Sequence, residues 1–130
     1  MIPEIIAHLQ ANTASFPTIE NAWMMKPVED LSAAVPAIYL FPAARSGKPG
    51  LGETTCYRQH ITKQVKHFIV CNPGDFESLW VEVWNALCGF QVDSYYDGLE
   101  FVDGDTEKIT GQYLWWWDIY RTSRIHTKSE

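Results

Sequence analysis

Two groups of side chains in this sequence have residue types that could bind a metal ion. His60 and His67 lie seven residues apart in a segment with strand-like alternation. An odd separation places two side chains on opposite faces of a strand, so these imidazoles cannot hold one ion together and are predicted to be unrelated surface or edge histidines. Asp103, Asp105 and Glu107 resemble a calcium loop, but the required glycine and the distant bidentate glutamate are missing. The sequence therefore predicts no metal site.

Side-chain patterns typical of covalent or acid–base catalysis are missing as well. The sequence has no GxSxG, HExxH or CxxC motif and no GxxxxGK[ST] phosphate loop. Cys56, Cys71 and Cys88 are odd in number and widely spaced, which favours reduced thiols over a disulfide framework. We therefore expect no catalytic residues, no cofactor and no enzyme activity.

Composition and charge narrow the class of protein further. The chain has 130 residues, of which 46% are hydrophobic and 20% are charged, as in an ordinary globular protein, and we expect one domain over residues 1–130. The net charge of −6 argues against general nucleic-acid binding, because phosphate contacts require clustered Lys and Arg. No apolar run reaches the roughly 18 residues of a membrane span, and the N-terminus lacks the basic start of a signal peptide. We expect a soluble intracellular protein that does not bind membranes.

The hydrophobic pattern predicts at least two helices. Residues 2–9 have apolar side chains at helical spacing. Residues 76–87 show a broad apolar stripe after Pro73, which suits a first helical turn, and Gly89 supplies the stop. Residues 27–34 could form a further turn of helix.

The remaining segments predict strands and one long loop. Residues 19–25 alternate loosely as in a strand, and residues 36–42, apolar throughout and bounded by prolines, are typical of a short buried strand. Residues 43–53 are rich in Gly and Pro and are predicted to form a mobile loop. Residues 54–71 indicate a long strand or hairpin that enters the core at its end. A DG turn at Asp103–Gly104 is predicted to join two further strands.

The segment GQYLWWWDIYRTSRI, residues 111–125, has three consecutive tryptophans whose side chains would alternate in a strand. One face would carry Tyr113, Trp115, Trp117 and Ile119, and we expect this apolar face to be the core against the helices. The other face mixes aromatic, hydroxyl and charged side chains: Gln112, Leu114, Trp116, Asp118, Tyr120, Thr122 and Arg124. Because Trp, Tyr and Arg are enriched at protein contacts, Trp116, Tyr120 and Arg124 are predicted to face a partner. Burial of Trp116 beneath a helix of its own chain stays open as the alternative.

Two short motifs and the order of the elements carry a family resemblance. The segment PAIYLFP fits a P-x-x-x-V/L-x-P-like pattern, and the end of the second predicted helix fits L-x-G-[WF]. The matching residues are Tyr39, Leu40, Pro42, Leu87, Gly89 and Phe90. With these motifs and this element order, most of the chain resembles the tail terminator proteins of long-tailed phages.

The resemblance implies an α+β fold with a curved, mostly antiparallel sheet and helices packed on one face. It implies a homo-hexameric ring without catalytic residues, which binds the last ring of the tail tube protein, ends tail polymerisation and offers a surface to the head-completion or neck protein. DNA would pass through the lumen without specific binding. The protein would lie at the head-proximal end of the virion tail, after assembly in the host cytoplasm. A head–tail connector of the same particle, and a small non-viral binding module or an unrecognised enzyme, are the alternatives.

A ring of this kind places demands on the surface of each subunit. A closed ring is built from heterologous contacts, so each subunit needs two different complementary patches. The sheet edge and the mixed face around Trp116 could form one patch. The predicted loop at residues 43–53, with Arg45 and Lys48, could reach the tail tube or the lumen. An acidic lumen would let DNA slide without adhering.

Overall fold

The computed structural model describes residues 1–22, 35–48 and 58–127, which form two α-helices and five strands. Along the chain these elements are α1 (Ile2–Asn12), β1 (Thr18–Asn21), β2 (Ala37–Gly47), β3 (Arg58–Cys71), α2 (Phe76–Leu87), β4 (Glu100–Thr110) and β5 (Tyr113–Thr127). A short 3₁₀ turn, Pro73–Asp75, leads into α2. The helices predicted at residues 2–9 and 76–87 are confirmed, and the turn of helix predicted at residues 27–34 lies outside the described residues.

The described strands form one open sheet in the order β1-β2-β3-β5-β4. β1 runs parallel to β2, and all other neighbouring strands are antiparallel. Both helices pack on one side of this sheet, which we name the helix face; the other side is the second face. The predicted α+β fold, with a mostly antiparallel sheet and helices on one face, is confirmed.

The main core lies between the two helices and the helix face. α1 contributes Ile5 and Leu9, and α2 contributes Leu79, Val83 and Leu87, at the spacing that places side chains on one side of a helix. The buried sheet residues of the same cluster are Ile19, Ile38, Leu40, Val65, Ile69, Cys71 and Tyr120. Full burial of one such aliphatic side chain contributes about 1.5–3 kcal/mol, so this cluster supplies a large share of the stability.

The tryptophans of β5 alternate across the sheet as predicted, but the helices cover the opposite face from the one expected. The β5 residues on the helix face are Leu114, Trp116, Asp118, Tyr120 and Thr122, all buried except the half-buried Trp116. The prediction that the helices cover the other face is therefore wrong. That face is the second face, and its four residues are half-buried: Tyr113, Trp115, Trp117 and Ile119.

Lysine side chains explain how aromatic rings can occupy the second face. Lys66 Nζ lies 4.9 Å from the ring centroid of Trp117, and Lys108 Nζ lies 4.8 Å from that of Trp115. The methylene stem of a lysine covers apolar surface while its ammonium group stays in water, and the cation is attracted to the ring face. Trp115 also packs against the buried Val70. Among the described residues, these lysines therefore shield part of the apolar second face.

β2 continues well past the short apolar strand predicted at residues 36–42. The loop predicted for residues 43–53 is wrong for residues 43–47, which extend the strand; residues 49–53 lie outside the described residues. Beyond a register shift between Pro42 and Arg45, the strand pairs with β3 again as far as Gly47. Pro42 has no N–H to donate to the ladder, which fits its position at an irregularity.

Two other predicted strands are found in part. The strand predicted at residues 54–71 is confirmed for Arg58–Cys71, and residues 54–57 lie outside the described residues. The strand predicted at residues 19–25 is found as Thr18–Asn21, and residues 23–25 lie outside the described residues.

The turn between β4 and β5 lies at Gly111 and not at Asp103–Gly104. Gly111 has a φ of +61°, a left-handed conformation that glycine adopts without strain. Gly104 lies inside β4 opposite Asp118, where a Cβ atom would overlap Asp118 Oδ1. Glycine is needed at position 104 because a neighbouring side chain approaches the backbone closely, and not because the chain turns there.

Candidate interaction surface

The strands β2, β3 and β5 continue beyond the part of the sheet that the helices cover. On these strands the main core ends at Leu40, Val65 and Tyr120. We name the continuing segments, residues 43–48, 58–63 and 121–127, the basic arm. They contain six of the ten Lys and Arg residues and no Asp or Glu: Arg45, Lys48, Arg58, Lys63, Arg121 and Arg124. In a chain with a net charge of −6, the arm is a local concentration of positive charge.

Strand register places several of these cations on one side of the arm. Arg45 pairs with Lys63, and Lys63 pairs with Thr122. Ile61, two residues before Lys63, pairs with Arg124. Side chains directly opposite each other in antiparallel strands, and those two apart along a strand, point the same way. Arg45, Lys63 and Arg124 therefore share the helix face.

An open groove of about 480 Å³ lies on this side of the arm. The residues that line it are Arg45, Ser46, Gly47, Gln59, Ile61, Lys63 and His126. Gln59 Nε2 donates a hydrogen bond to the Lys48 carbonyl oxygen at 2.9 Å, which holds the amide beside Gly47. The described residues that line the groove include cations and one aliphatic side chain but no carboxylate. The groove thus has the chemistry to bind an acidic segment that also offers an apolar contact.

The segment that follows α2 holds two of the arm's cations in place. Lys63 is 7% exposed, and its Nζ donates a hydrogen bond to the Tyr96 hydroxyl at 3.0 Å. The Arg124 guanidinium carbon lies 5.5 Å from the ring centroid of Tyr95 and 5.3 Å from that of Tyr96. Thr122 Oγ1 also donates to the Asp97 carbonyl oxygen at 2.6 Å. A buried ammonium group requires such polar partners, so this segment fixes the positions of charges that would otherwise be mobile.

Three of the five predicted contact residues lie on the basic arm. Arg45 and Lys48 are exposed at the end of β2, and Arg124 lies across from Ile61 on β5. The Lys48 N–H donates to the His60 carbonyl oxygen at 3.1 Å, so its backbone continues the pairing with β3. Strand register brings Arg45 and Arg124 to the helix face of the arm, whereas Lys48 lines a separate pocket with His60 and Thr62. Their contact with a partner stays a prediction.

The other two predicted contact residues, Trp116 and Tyr120, lie on the helix-covered part of β5. Tyr120 is fully buried by its own chain, which contradicts its predicted place at a partner surface. Trp116 packs on Phe76 of α2, with ring centroids 4.7 Å apart, and donates from Nε1 to Asp118 Oδ1 at 2.8 Å. The open alternative, in which a helix of the same chain covers Trp116, is the arrangement observed.

His67 and Asp118 form a buried polar pair close to this tryptophan. Both side chains are fully buried, and His67 Nε2 lies 3.5 Å from Asp118 Oδ2. Burial lowers the pKa of His67 from 6.5 to about 3, so its imidazole is neutral near pH 7 and the pair is not a salt bridge. Burial also raises the pKa of Asp118, which the hydrogen bond from Trp116 opposes. His60 and His67 lie on opposite faces, as predicted, but the predicted surface or edge position is wrong for His67.

Gln59, Lys63 and His126 belong to the groove but were not predicted from the sequence. Each lies in a segment of alternating polar and apolar residues, where a polar side chain is expected on an exposed face. The missing information is the strand register, because only pairing of β3 with both β2 and β5 places these three residues beside Arg45.

Two classes of feature are not found in the described part of the chain. Residues 1–22, 35–48 and 58–127 contain no group of three or more His, Cys, Asp or Glu side chains placed to hold a metal ion. Neither α1 nor α2 has the length and apolar character required to span a membrane.

Comparison of this fold with solved structures finds similarity to a chain in the virion of a native gene transfer agent particle. The superposition gives a TM-score of 0.53 and covers 94% of this chain and 84% of that chain, with 11% sequence identity. This chain is similar in fold to a gene transfer agent virion protein. No protein-family model matches the sequence, and the search of curated proteins gives no match.

Because the matched region is 94% of this chain, the similarity is not limited to one helix pair or hairpin. An identity of 11% is too low to carry a residue role from one chain to the other, so the comparison concerns the fold alone. The basic arm and its groove therefore rest on this chain's own residues.

Proposed function

We propose that this protein is a structural component of a phage-like virion, and that it caps the tail tube as a ring. In this role it ends tail polymerisation and offers the surface to which the head is joined. The observation that carries the proposal is the fold similarity to a gene transfer agent virion protein over 94% of the chain. The motifs shared with tail terminator proteins, which include Tyr39 and Pro42 in β2 and Gly89 after α2, support the more specific role.

The distribution of charge supports a role in assembly. A ring subunit needs two different complementary patches, and a basic arm on an acidic chain supplies one chemically distinct surface. The arm projects past the main core, so its cations do not take part in holding the helices to the sheet. A predominantly acidic remainder would repel DNA passing through the ring and keep it from adhering.

The proposal is tested on particles produced with the gene for this protein deleted. Negative-stain images of such particles are expected to show overlong tails, because nothing stops addition of tail tube rings. Tails of normal length that lack heads would instead assign the protein to the head–tail connector. Particles indistinguishable from the wild type would overturn both virion roles.

The position of the protein within the particle is tested separately. Complementation with a tagged chain, followed by labelling with an antibody against the tag, is expected to mark the head-proximal end of the tail. Label along the whole tail or at its distal tip would contradict a capping role.

A further inference from the structure

The second charged surface of this chain is strand β4. Residues 100–110 contain four carboxylates and one lysine, and β4 is the edge strand of the described sheet. Asp103, Asp105 and Glu107 are exposed, and none of them forms an ion pair with a described residue. Glu100 differs, because it contacts Arg121 of its own chain at 3.3 Å. The free negative charge is therefore concentrated on the part of β4 nearer its hairpin turn.

β4 also carries apolar side chains that are exposed to solvent. Val102 is 39% exposed and Ile109 is 66% exposed. Exposed aliphatic groups among unpaired carboxylates give the acidic segment an apolar contact to offer. The groove of the basic arm has the matching composition, with Ile61 among Arg45 and Lys63.

The arm and the acidic part of β4 are too far apart to meet within one chain. Asp105 pairs with Trp117 on β5, whereas the groove lies at the level of Thr122 and beyond. Five residues of strand separate these levels by about 17 Å. Arg45 and Lys48 on the arm form no ion pair with a described residue, and neither do the three carboxylates nearer the β4 turn. A second copy can present the complementary charge to each.

We infer that the basic arm of one copy binds the acidic edge of β4 in the next copy, head to tail. The two patches are different surfaces of one chain, so the contact is heterologous, and its repetition closes into a ring when the rotation allows. Opposite charges steer the two surfaces together and fix their register, and the aliphatic groups exclude water between them. The inference rests on the proposed ring and names the surfaces that join its subunits.

Charge reversal tests this contact on the purified full-length chain. The arm variant is Arg45→Glu with Lys48→Glu, and the edge variant is Asp105→Lys with Glu107→Lys. The wild-type protein is expected to self-associate at low ionic strength and to dissociate as salt screens the contact. Each variant alone should associate about tenfold or more weakly, because like charges then face each other. Native mass spectrometry and sedimentation velocity give the masses.

Mixing the two variants gives the decisive result. A reversed arm fits a reversed edge, and the unaltered arm and edge fit each other, so a 1:1 mixture should restore assemblies with strictly alternating subunits. The control is Glu4→Lys with Glu77→Lys, which changes the net charge as the edge variant does, but on the helices. This control should associate like the wild type. Loss of association in the control as well would show a general charge effect and overturn the contact.

Two further results would also overturn the proposed contact between copies. One is a strictly monomeric wild-type protein at low salt, and the other is charge-reversed variants that assemble like the wild type. Assembly through other surfaces would leave the proposed function standing, because that function is tested by tail length in deletion particles. Wild-type assembly by the arm variant, combined with loss of binding to another virion protein, would assign the arm to that protein instead. Circular dichroism confirms that each variant is folded.

Discussion

Strands β2, β3 and β5 each run through two regions of the molecule that have different properties. In the packed half, where α1 and α2 cover the helix face, Ile38, Leu40 and Ile69 are fully buried. In the basic arm, the residues from Ala44 to Lys48 are exposed, and the side chains around the groove are mainly cationic or polar. Strand pairing is continuous from one region into the other apart from the irregularity after Pro42. Backbone pairing alone therefore does not decide whether a strand segment serves the core or a surface.

The difference lies in how each region treats polar groups. The packed half buries its few polar side chains, among them Asp118, which accepts a hydrogen bond from Trp116. The arm leaves Arg45 and Lys48 at the surface, where a charge costs little and remains able to meet another molecule. We infer that the packed half supplies stability and that the arm supplies contacts for assembly.

The largest expected effect is in the packed half, at Tyr120. Tyr120→Ala should lower the free energy of unfolding by about 3–5 kcal/mol, because it removes a fully buried ring from the core beneath α2. The matched control is Tyr95→Ala beside the arm, where the side chain is 72% exposed. That variant should change stability by no more than about 1 kcal/mol, because the ring makes only an exposed cation–π contact with Arg124. Urea unfolding followed by fluorescence measures both, and equal losses would erase the distinction between the regions.

A smaller effect is expected at Gly104, where β4 lies against the packed half. Gly104→Ala should destabilise the protein by about 1–3 kcal/mol, because the new Cβ overlaps Asp118 Oδ1 and lies 3.0 Å from the Trp117 carbonyl oxygen. Gly74→Ala is the control, since a Cβ there meets no atom within 4 Å. Thermal melts of the two variants compare them. A Gly104→Ala protein as stable as the control would show that the strands do not approach so closely.

A pH effect should follow from the buried imidazole of His67. Its pKa is about 3 in the folded protein and 6.5 as its ordinary value, so between these values the unfolded chain binds more protons. Stability from this group is complete above pH 6.5 and is lost as the pH falls toward 3, by at most about 1.4 kcal/mol per pH unit. The raised pKa of Asp118 has the opposite sign and reduces the net slope at the acidic end.

The comparison of wild type with His67→Leu isolates this contribution. Urea unfolding at pH 7 and at pH 5 should show a greater loss of stability for the wild type than for the variant, because leucine does not titrate. The other three histidines are the same in both proteins and cancel. Parallel pH dependence of the two proteins would show that His67 is not buried in its neutral form.

Much of the fold follows from sequence pattern, and the particular failures have physical causes. Helical spacing predicts α1 and α2, and period-two alternation predicts that Trp115 and Trp116 lie on opposite faces. Alternation cannot tell which face the helices cover, because that depends on partners from other strands. The charge of Asp118 indicated an exposed strand face, yet this side chain is buried and accepts a hydrogen bond from Trp116. The apolar ring of Trp117 indicated a face in the helix-covered core, yet Lys66 of the neighbouring strand lies over this ring.

The sequence allowed single residues of the candidate site to be predicted, but not their arrangement. Arg45 and Lys48 were predicted to be contact residues because they are cations in a Gly- and Pro-rich segment. Part of that segment is a strand and not a loop. Lys63 carries no such signal, since a lysine in an alternating strand is ordinary. The groove requires Lys63 to lie opposite Arg45, and that pairing is set by strand register, including the irregularity after Pro42.

The most direct test of the division between packed half and arm measures one variant in two ways. Arg45→Glu with Lys48→Glu should unfold within about 0.5 kcal/mol of the wild type, because both side chains are exposed beyond the main core. Particles made with only this variant should nevertheless carry overlong tails in negative-stain images. Tails of normal length, or a variant that is folded poorly, would contradict the assignment of stability to the packed half and assembly to the arm.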